Sequence, residues 1–223
     1  MSVSDLSAST QNYLKMIWNL QEWSDAPVTT SNLADRLGLR LSTVSDAIRK
    51  MTEQGLIEHA RYGSVALTPA GRAHAVAMVR RHRLIETFLV QVLQYTWDEV
   101  HDEAETLEHA VSDLMVDRID AHLGHPTRDP HGDPIPSASG VVTRPDAVQL
   151  TAAQPNTSVR VERISDADPR MLQYFADQGI VVDAELRVHA GEPYANVVVV
   201  QVVGRDQPVN LGTAASDAVW VST

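Results

Sequence analysis

Six side chains in the middle of the chain have the types and spacing needed to hold a divalent cation. His82 and Glu86 stand four residues apart in AGRAHAVAMVRRHRLIETFLVQVL, so a helix there places both on one face. His101, Glu105, Glu108 and His109 follow in VHDEAETLEHAVSDLMVDRIDAHL. At about 100° per residue these four share one stripe if the segment is a single helix starting near Trp97 and capped near Thr96. Two helices that each offer His and Glu from one face can converge on ions between them. The alternative is a solvated face with pairs four residues apart. Against it, Leu84, Leu107, Ala110 and Leu114 flank these groups, and carboxylates clustered beside apolar surface repel one another unless neutralised. The donor set of carboxylate and imidazole suits Mn²⁺, Fe²⁺, Co²⁺ or Zn²⁺. With no cysteine in the chain, thiolate zinc sites, iron–sulfur clusters and disulfides are excluded.

Elements on either side must position these groups. Residues 1–83 hold ten Lys/Arg against seven Asp/Glu, and residues 84–223 hold eight against twenty-two, so a mildly basic head precedes a strongly acidic body. The overall charge of −11 therefore does not forbid a nucleic-acid contact near the N-terminus. No apolar run approaches the roughly 18–20 residues of a membrane span, so no membrane contact is expected. The start, MSVSDLSAST, lacks the basic and apolar regions of an export signal, and a cytoplasmic location is expected.

In the basic head, residues 9–23 place Tyr13, Leu14, Ile17, Trp18 and Leu20 at helical spacing, with Ser9 or Thr10 as the cap. A short helix around Ser31–Leu37 then stops at Gly38, and another starts near Ser42. Two short helices around a tight glycine turn form the helix-turn-helix pattern. In the second, Val44, Ile48 and Met51 face the core, leaving Arg40, Ser42, Thr43, Ser45, Asp46, Arg49 and Lys50 outside. Short polar groups can approach base edges and the cations can hold phosphates, whereas Asp46 is out of place on such a face. LIEHARYGSVALTPAG adds two strands around a Tyr62–Gly63 turn, a wing with Arg61 at its tip. The expected partner is double-stranded DNA.

The runs RRHRLIETFL and EVHDEAETLEHAVSD, at this separation and after a winged helix-turn-helix, resemble the diphtheria toxin repressor family of metal-dependent transcriptional regulators. The resemblance extends over the whole chain and implies a homodimer that represses from a palindromic operator when metal is bound. It implies an ancillary site of His82, Glu86 and His101, and a primary site of Glu105, Glu108 and His109 with one residue of the first helix. Glu105 stands where the iron-responsive branch has Cys; the harder carboxylate resembles the manganese-responsive branch and makes Mn²⁺ the expected metal. The first-helix position falls on Asn12, where that branch has Asp and the iron branch Met. An amide oxygen coordinates without charge, so an altered primary site is expected.

Residues 124–145 are rich in Pro, Gly and Asp and read as a linker, with His125 and His131 solvated, although the resemblance implies that part of the segment packs on the dimerisation helices. Val-rich segments beyond it, separated by turn residues, read as a small β-barrel, which the resemblance makes SH3-like and related to FeoA. Within it, ISDADPRMLQYFADQG resembles the segment that reaches the ancillary metal; Asp168 aligns best, Asp166 is its substitute, and a plain helix cap is the alternative. The expected fold is mainly α with a small β domain: a winged helix-turn-helix over 1–75, a helical metal-binding and dimerisation domain over 76–143, and an SH3-like domain over 144–223. The expected function is manganese-dependent repression of metal-homeostasis genes. A winged-helix sensor of Fe²⁺ or an organic ligand is the main rival. An enzyme is not expected, since no nucleophile motif accompanies the His/Glu groups.

Overall fold

The computed structural model describes residues 3–59, 63–192 and 195–223, so Arg61 lies outside the described residues. The chain forms two compact units. The first comprises Met1–His82, Leu107–Asp117 and Pro136–Val141, and the second Arg83–Thr106, Arg118–Ile135 and Val142–Thr223. No described helix is long and apolar enough to cross a membrane.

The first unit begins with α1 (Ala8–Glu22). Ser9 and Thr10 are already helical, and the cap is Ser7, whose extended backbone lets its hydroxyl accept the Thr10 N–H at 3.2 Å. Tyr13, Leu14, Ile17 and Trp18 are buried, each contributing roughly 1.5–3 kcal/mol of apolar transfer. The Arg72 guanidinium lies 4.4 Å over the Trp18 ring. α2 (Thr30–Leu37) opens on a reciprocal Thr29/Asn32 cap and ends at Gly38, whose left-handed φ of 63° turns the chain into α3 (Leu41–Glu53). Val44, Ile48 and Met51 are the buried stripe of α3. β1 (Ile57–His59) pairs antiparallel with β2 (Val65–Leu67), and the Val65 N–H donates to the Val28 carbonyl at 2.8 Å, pinning this wing to the segment before α2.

α4 (Pro69–Leu93) crosses from the first unit into the second, carrying His82 and Glu86 one turn apart. The expected second helix is interrupted: α5 (Val100–Leu107) and α6 (Asp113–His122) flank a turn that holds Glu108 and His109. The break coincides with a long-range contact. Arg81 donates to the Glu108 carbonyl at 3.1 Å, taking the acceptor a continuing helix would use, and to the Asp113 carboxylate at 2.6 Å. The Ser112 hydroxyl then accepts the Met115 N–H and caps α6.

In the second unit, β3 (Val148–Gln149), β4 (Ser158–Ile164), β5 (Glu185–His189), β6 (Val197–Val202), β7 (Val209–Gly212) and β8 (Val219–Ser222) form one antiparallel sheet in the order β3-β8-β4-β5-β6-β7. Alternate residues Val159, Val161, Leu186 and Val188 point to a core shared with Leu172 and Phe175 of α7 (Pro169–Gln178). α8 (Thr213–Asp217) precedes β8. The expected mainly helical chain with a small C-terminal β domain is thus present.

The expected linker is only partly a linker. Residues 131–136 are buried, and His131, expected in solvent, is 0% exposed. The Asp129 carboxylate accepts the backbone N–H groups of His131 and Asp133, folding the loop on itself. Ile164 donates its N–H to the His131 carbonyl at 2.9 Å, and Arg163 donates to Asp133 at 2.7 Å, fastening the loop to β4. Gly132 makes this approach possible: its φ is 91°, and a Cβ there would stand 2.0 Å from the Glu162 carbonyl oxygen.

Candidate metal centres and DNA-facing helix

α3 presents Arg40, Ser42, Thr43, Ser45, Asp46, Arg49 and Lys50 on its exposed side. No side chain caps its N-terminus, so the first-turn N–H groups remain available to an anion. Asp46 is partly neutralised by Arg49, 3.2 Å away and equally exposed. That pairing answers the charge objection to a carboxylate on this face.

The first unit gathers four of the sequence-predicted ligands: Asn12, His82, Glu108 and His109. Glu108 is fully buried, with Oε2 2.5 Å from His82 Nδ1. Its Oε1 accepts from the Lys15 ammonium at 2.5 Å, and Lys15 also stands 3.5 Å from His82 Nδ1. Burial pushes the Glu108 carboxyl up, but the hydrogen bond and charge of His82, and then Lys15, overcome this and hold it below its ordinary value. Gln11 donates its amide to the carbonyls of Val3 and Leu6, at 2.9 and 3.0 Å, which fixes its oxygen as an acceptor. That oxygen lies 2.6 Å from His109 Nδ1, so Nδ1 carries the proton. His109 Nε2 is then the electron-pair nitrogen, 3.7 Å from Glu108 Oε1. Asn12, next to Gln11 on α1, has its Oδ1 buried without a hydrogen bond.

Glu86, His101 and Glu105 lie in the second unit. His101 Nδ1 is 3.4 Å from the buried Glu86 Oε1, and its Nε2 is 3.6 Å from Glu105 Oε1 on the next turn of α5. The residue that completes this group from the β domain is Asp166, with Oδ2 2.9 Å from His101 Nδ1. Glu86, His101 and Asp166 each offer a ligand atom within 4.8 Å of the others. Burial lowers His101, but hydrogen bonds and charge from Asp166 and Glu86 prevail and raise it to about 11. The same imidazolium holds Asp166, which is partly buried, far below its ordinary value.

Asp168 does not join the group. Its Oδ1 accepts the N–H groups of Arg170 and Met171 at 2.9 and 3.4 Å, making it the N-cap of α7. Asp-Pro at a helix start carries that signal in sequence, and the helix cap the sequence reading gave as the alternative is present. The sequence reading missed Lys15 and Gln11. Lysine is not a metal ligand in the protonated state, and glutamine in an amphipathic helix carries no distinguishing pattern.

Comparison with known proteins places these features. Residues 5–65 match the iron dependent repressor N-terminal DNA binding domain, residues 68–137 the iron dependent repressor metal binding and dimerisation domain, and residues 148–223 the FeoA domain. The iron-dependent repressor IdeR of Mycobacterium leprae (strain TN) is 34% identical over 211 residues, covering 89% of this chain and 90% of the relative. The diphtheria toxin repressor of Corynebacterium diphtheriae (strain ATCC 700971 / NCTC 13129 / Biotype gravis) is 32% identical, covering 96% and 93%. A solved manganese-dependent transcriptional repressor in complex with manganese superposes with a TM-score of 0.92 at 55% identity, covering 96% of this chain and 99% of that one. The manganese regulator SloR superposes with a TM-score of 0.80 at 28% identity, covering 96% and 97%. The chain belongs to the diphtheria toxin repressor family of metal-dependent transcriptional repressors.

Proposed function

We propose that this chain is a manganese-dependent transcriptional repressor, acting in the cytoplasm as a homodimer on a palindromic operator of metal-homeostasis genes. The observation that carries the reading is the donor set of the first unit. Asn12 Oδ1 is buried without a partner, His109 turns an electron pair inward, and the Glu108 carboxylate lies between His82 and Lys15. A buried polar atom left unpaired costs about 1–3 kcal/mol, which a coordinated cation would remove. These donors fit a hard or borderline divalent ion. Bound Mn²⁺ would supply a positive charge shared by α1 and the turn after α5.

The protein's own groups prepare that link. Gln11 orients His109, and Lys15 holds Glu108 while metal is absent. α1 packs against α2 and β2, so a tie at Asn12 bears on the helix-turn-helix and its wing. Two α3 helices of a dimer enter successive major grooves only when about 34–36 Å apart, so fixing that spacing converts metal occupancy into operator affinity. Arg49 and Lys50 would hold phosphates, and Ser42, Thr43 and Ser45 would meet base edges.

Manganese is preferred over iron because Glu105 is a carboxylate and because the solved relative at 55% identity is a manganese-dependent repressor, whereas the iron-dependent relative is 34% identical. The test is operator binding by fluorescence anisotropy, titrated with Mn²⁺, Fe²⁺, Co²⁺ and Zn²⁺. Glu108→Gln is expected to weaken the Mn²⁺ response about 100-fold or more, and Asn12→Asp to leave it equal or stronger. Operator binding that persists unchanged after chelation would falsify the proposal.

A further inference from the structure

His131 is a buried imidazole that neither the primary nor the ancillary group employs. Its Nε2 lies 2.6 Å from the Trp97 carbonyl oxygen, which can only accept, so Nε2 carries the proton. The Trp97 ring stacks on the imidazole at 5.9 Å between centroids and holds its plane. Nδ1 therefore faces inward, fully buried and without a hydrogen-bond partner. A histidine whose far nitrogen donates to a backbone carbonyl is oriented as metal ligands usually are.

What Nδ1 faces is carboxylate. Glu86 Oε2 lies 3.9 Å away, while the other oxygen of the same carboxylate, Oε1, lies 3.4 Å from His101. The distance of 3.9 Å is too long for a hydrogen bond. It does match two donors of one ion, since metal–ligand bonds of about 2.0–2.2 Å set neighbouring donors roughly 3–4 Å apart. Glu86, Asp129 and His131, all buried, each offer a ligand atom within 4.8 Å of the others. Asp133, beside them, is already engaged by Arg163 at 2.7 Å and Arg83 at 3.4 Å. Arg83 Nε is 3.6 Å from Asp129 Oδ2.

We propose that Glu86, Asp129 and His131 form a further divalent-cation site, with Glu86 bridging it to the ion held by His101 and Asp166. One carboxylate turning an oxygen to each of two imidazoles is the arrangement a pair of neighbouring metals uses. Two carboxylates and one imidazole form a nitrogen–oxygen donor set suited to Mn²⁺. The site ties the 129–133 loop to α4 and also fixes that loop against β4, through Ile164 and Arg163.

The experiment is equilibrium dialysis of metal-stripped full-length protein against Mn²⁺ with elemental analysis of bound metal. His131→Phe is expected to lose one Mn²⁺ per protomer, His101→Ala to lose at least one, and the double variant to lose two. Loss of no ion in His131→Phe, or of only one in the double variant, overturns the proposal; the latter would make His131 an extra ligand of the His101 ion. Asp129→Asn, nearly isosteric, is measured alongside and is expected to lose the same ion, so a folding defect in His131→Phe does not remove the test; an unchanged count in Asp129→Asn also overturns it. Glu108→Gln keeps the count independent of the repressor reading, because failure there leaves the ion lost with His131 unaffected.

Discussion

The two clusters differ in what balances their negative charge. In the first unit a protein cation is already present: the Lys15 ammonium is bonded to Glu108, and the α1 residue proposed as a ligand is a neutral amide, Asn12. In the second unit the carboxylates of Glu86 and Asp166 face imidazoles, with Glu105 and Asp129 near them. A metal ion entering the first must displace or share with an ammonium and gains only one buried carboxylate, Glu108. An ion entering the second meets several carboxylates and displaces at most a proton. The six His and Glu residues of the sequence thus divide between two settings, and under the proposed function the first is expected to bind metal more weakly than the second.

The largest expected effect separates the clusters physically. Gly132→Ala drives a Cβ to 2.0 Å from the Glu162 carbonyl at a φ of 91°, and backbone strain plus overpacking should cost about 3–5 kcal/mol. Urea unfolding followed by metal analysis should show a destabilised protein that loses second-unit Mn²⁺ first. A variant as stable as the parent would remove the claim that this loop is built on close approach. Next comes Lys15→Met. Without the ammonium, Mn²⁺ has no internal competitor at Glu108, and a gain of about 1.4–2.7 kcal/mol, or roughly 10–100-fold, is expected in first-unit affinity. Calorimetric titration reads it directly; weaker binding would mean Lys15 organises Glu108 for the metal and is not its rival.

A smaller difference is pH sensitivity. His101, raised to about 11, is protonated at neutral pH in the metal-free protein, so Mn²⁺ binding there must expel one proton. Affinity should therefore rise about tenfold per pH unit between pH 6 and 8, and fall by as much on acidification. Glu108, held below the ordinary carboxylate range, has no proton to expel in that window. Proton release measured in weak and strong buffers distinguishes the two. Equal slopes at both clusters would erase this part of the contrast.

Much of this arrangement was legible in the residues themselves. Val44, Ile48 and Met51 fixed the buried face of α3, and alternating Val and Leu placed β4 and β5, because burial repeats at 3.6 and 2 residues are local properties. The turn at Glu108 was not legible. It depends on Arg81, 27 residues away in sequence, taking a backbone carbonyl, and periodicity does not register such an interception. His131 was misread for the same reason: a Pro- and Gly-rich segment looks solvated until Arg163 and Ile164 of a distant strand reach it. Lys15 was hidden because its partners, Glu108 and His82, lie 93 and 67 residues on.

The smallest expected effect tests two aspartates separated by one residue. Asp168 accepts two backbone N–H groups at the start of α7, whereas Asp166 faces His101. Removing a helix cap costs about 1 kcal/mol, so Asp168→Ala should lower the melting temperature by a few degrees and leave Mn²⁺ binding unchanged. Asp166→Asn keeps its size and loses its charge, so it should weaken second-unit Mn²⁺ binding and lower the elevated His101 titration. The measurement pairs thermal unfolding with calorimetric titration for each variant. If Asp168→Ala proved to be the one that weakened metal binding, the charge at Asp166 would be structural, and the α7 cap would have to open toward α5 when metal enters. Capping geometry argues against that, because both carboxylate contacts of Asp168 belong to its own helix and leave it no reach without unwinding the first turn.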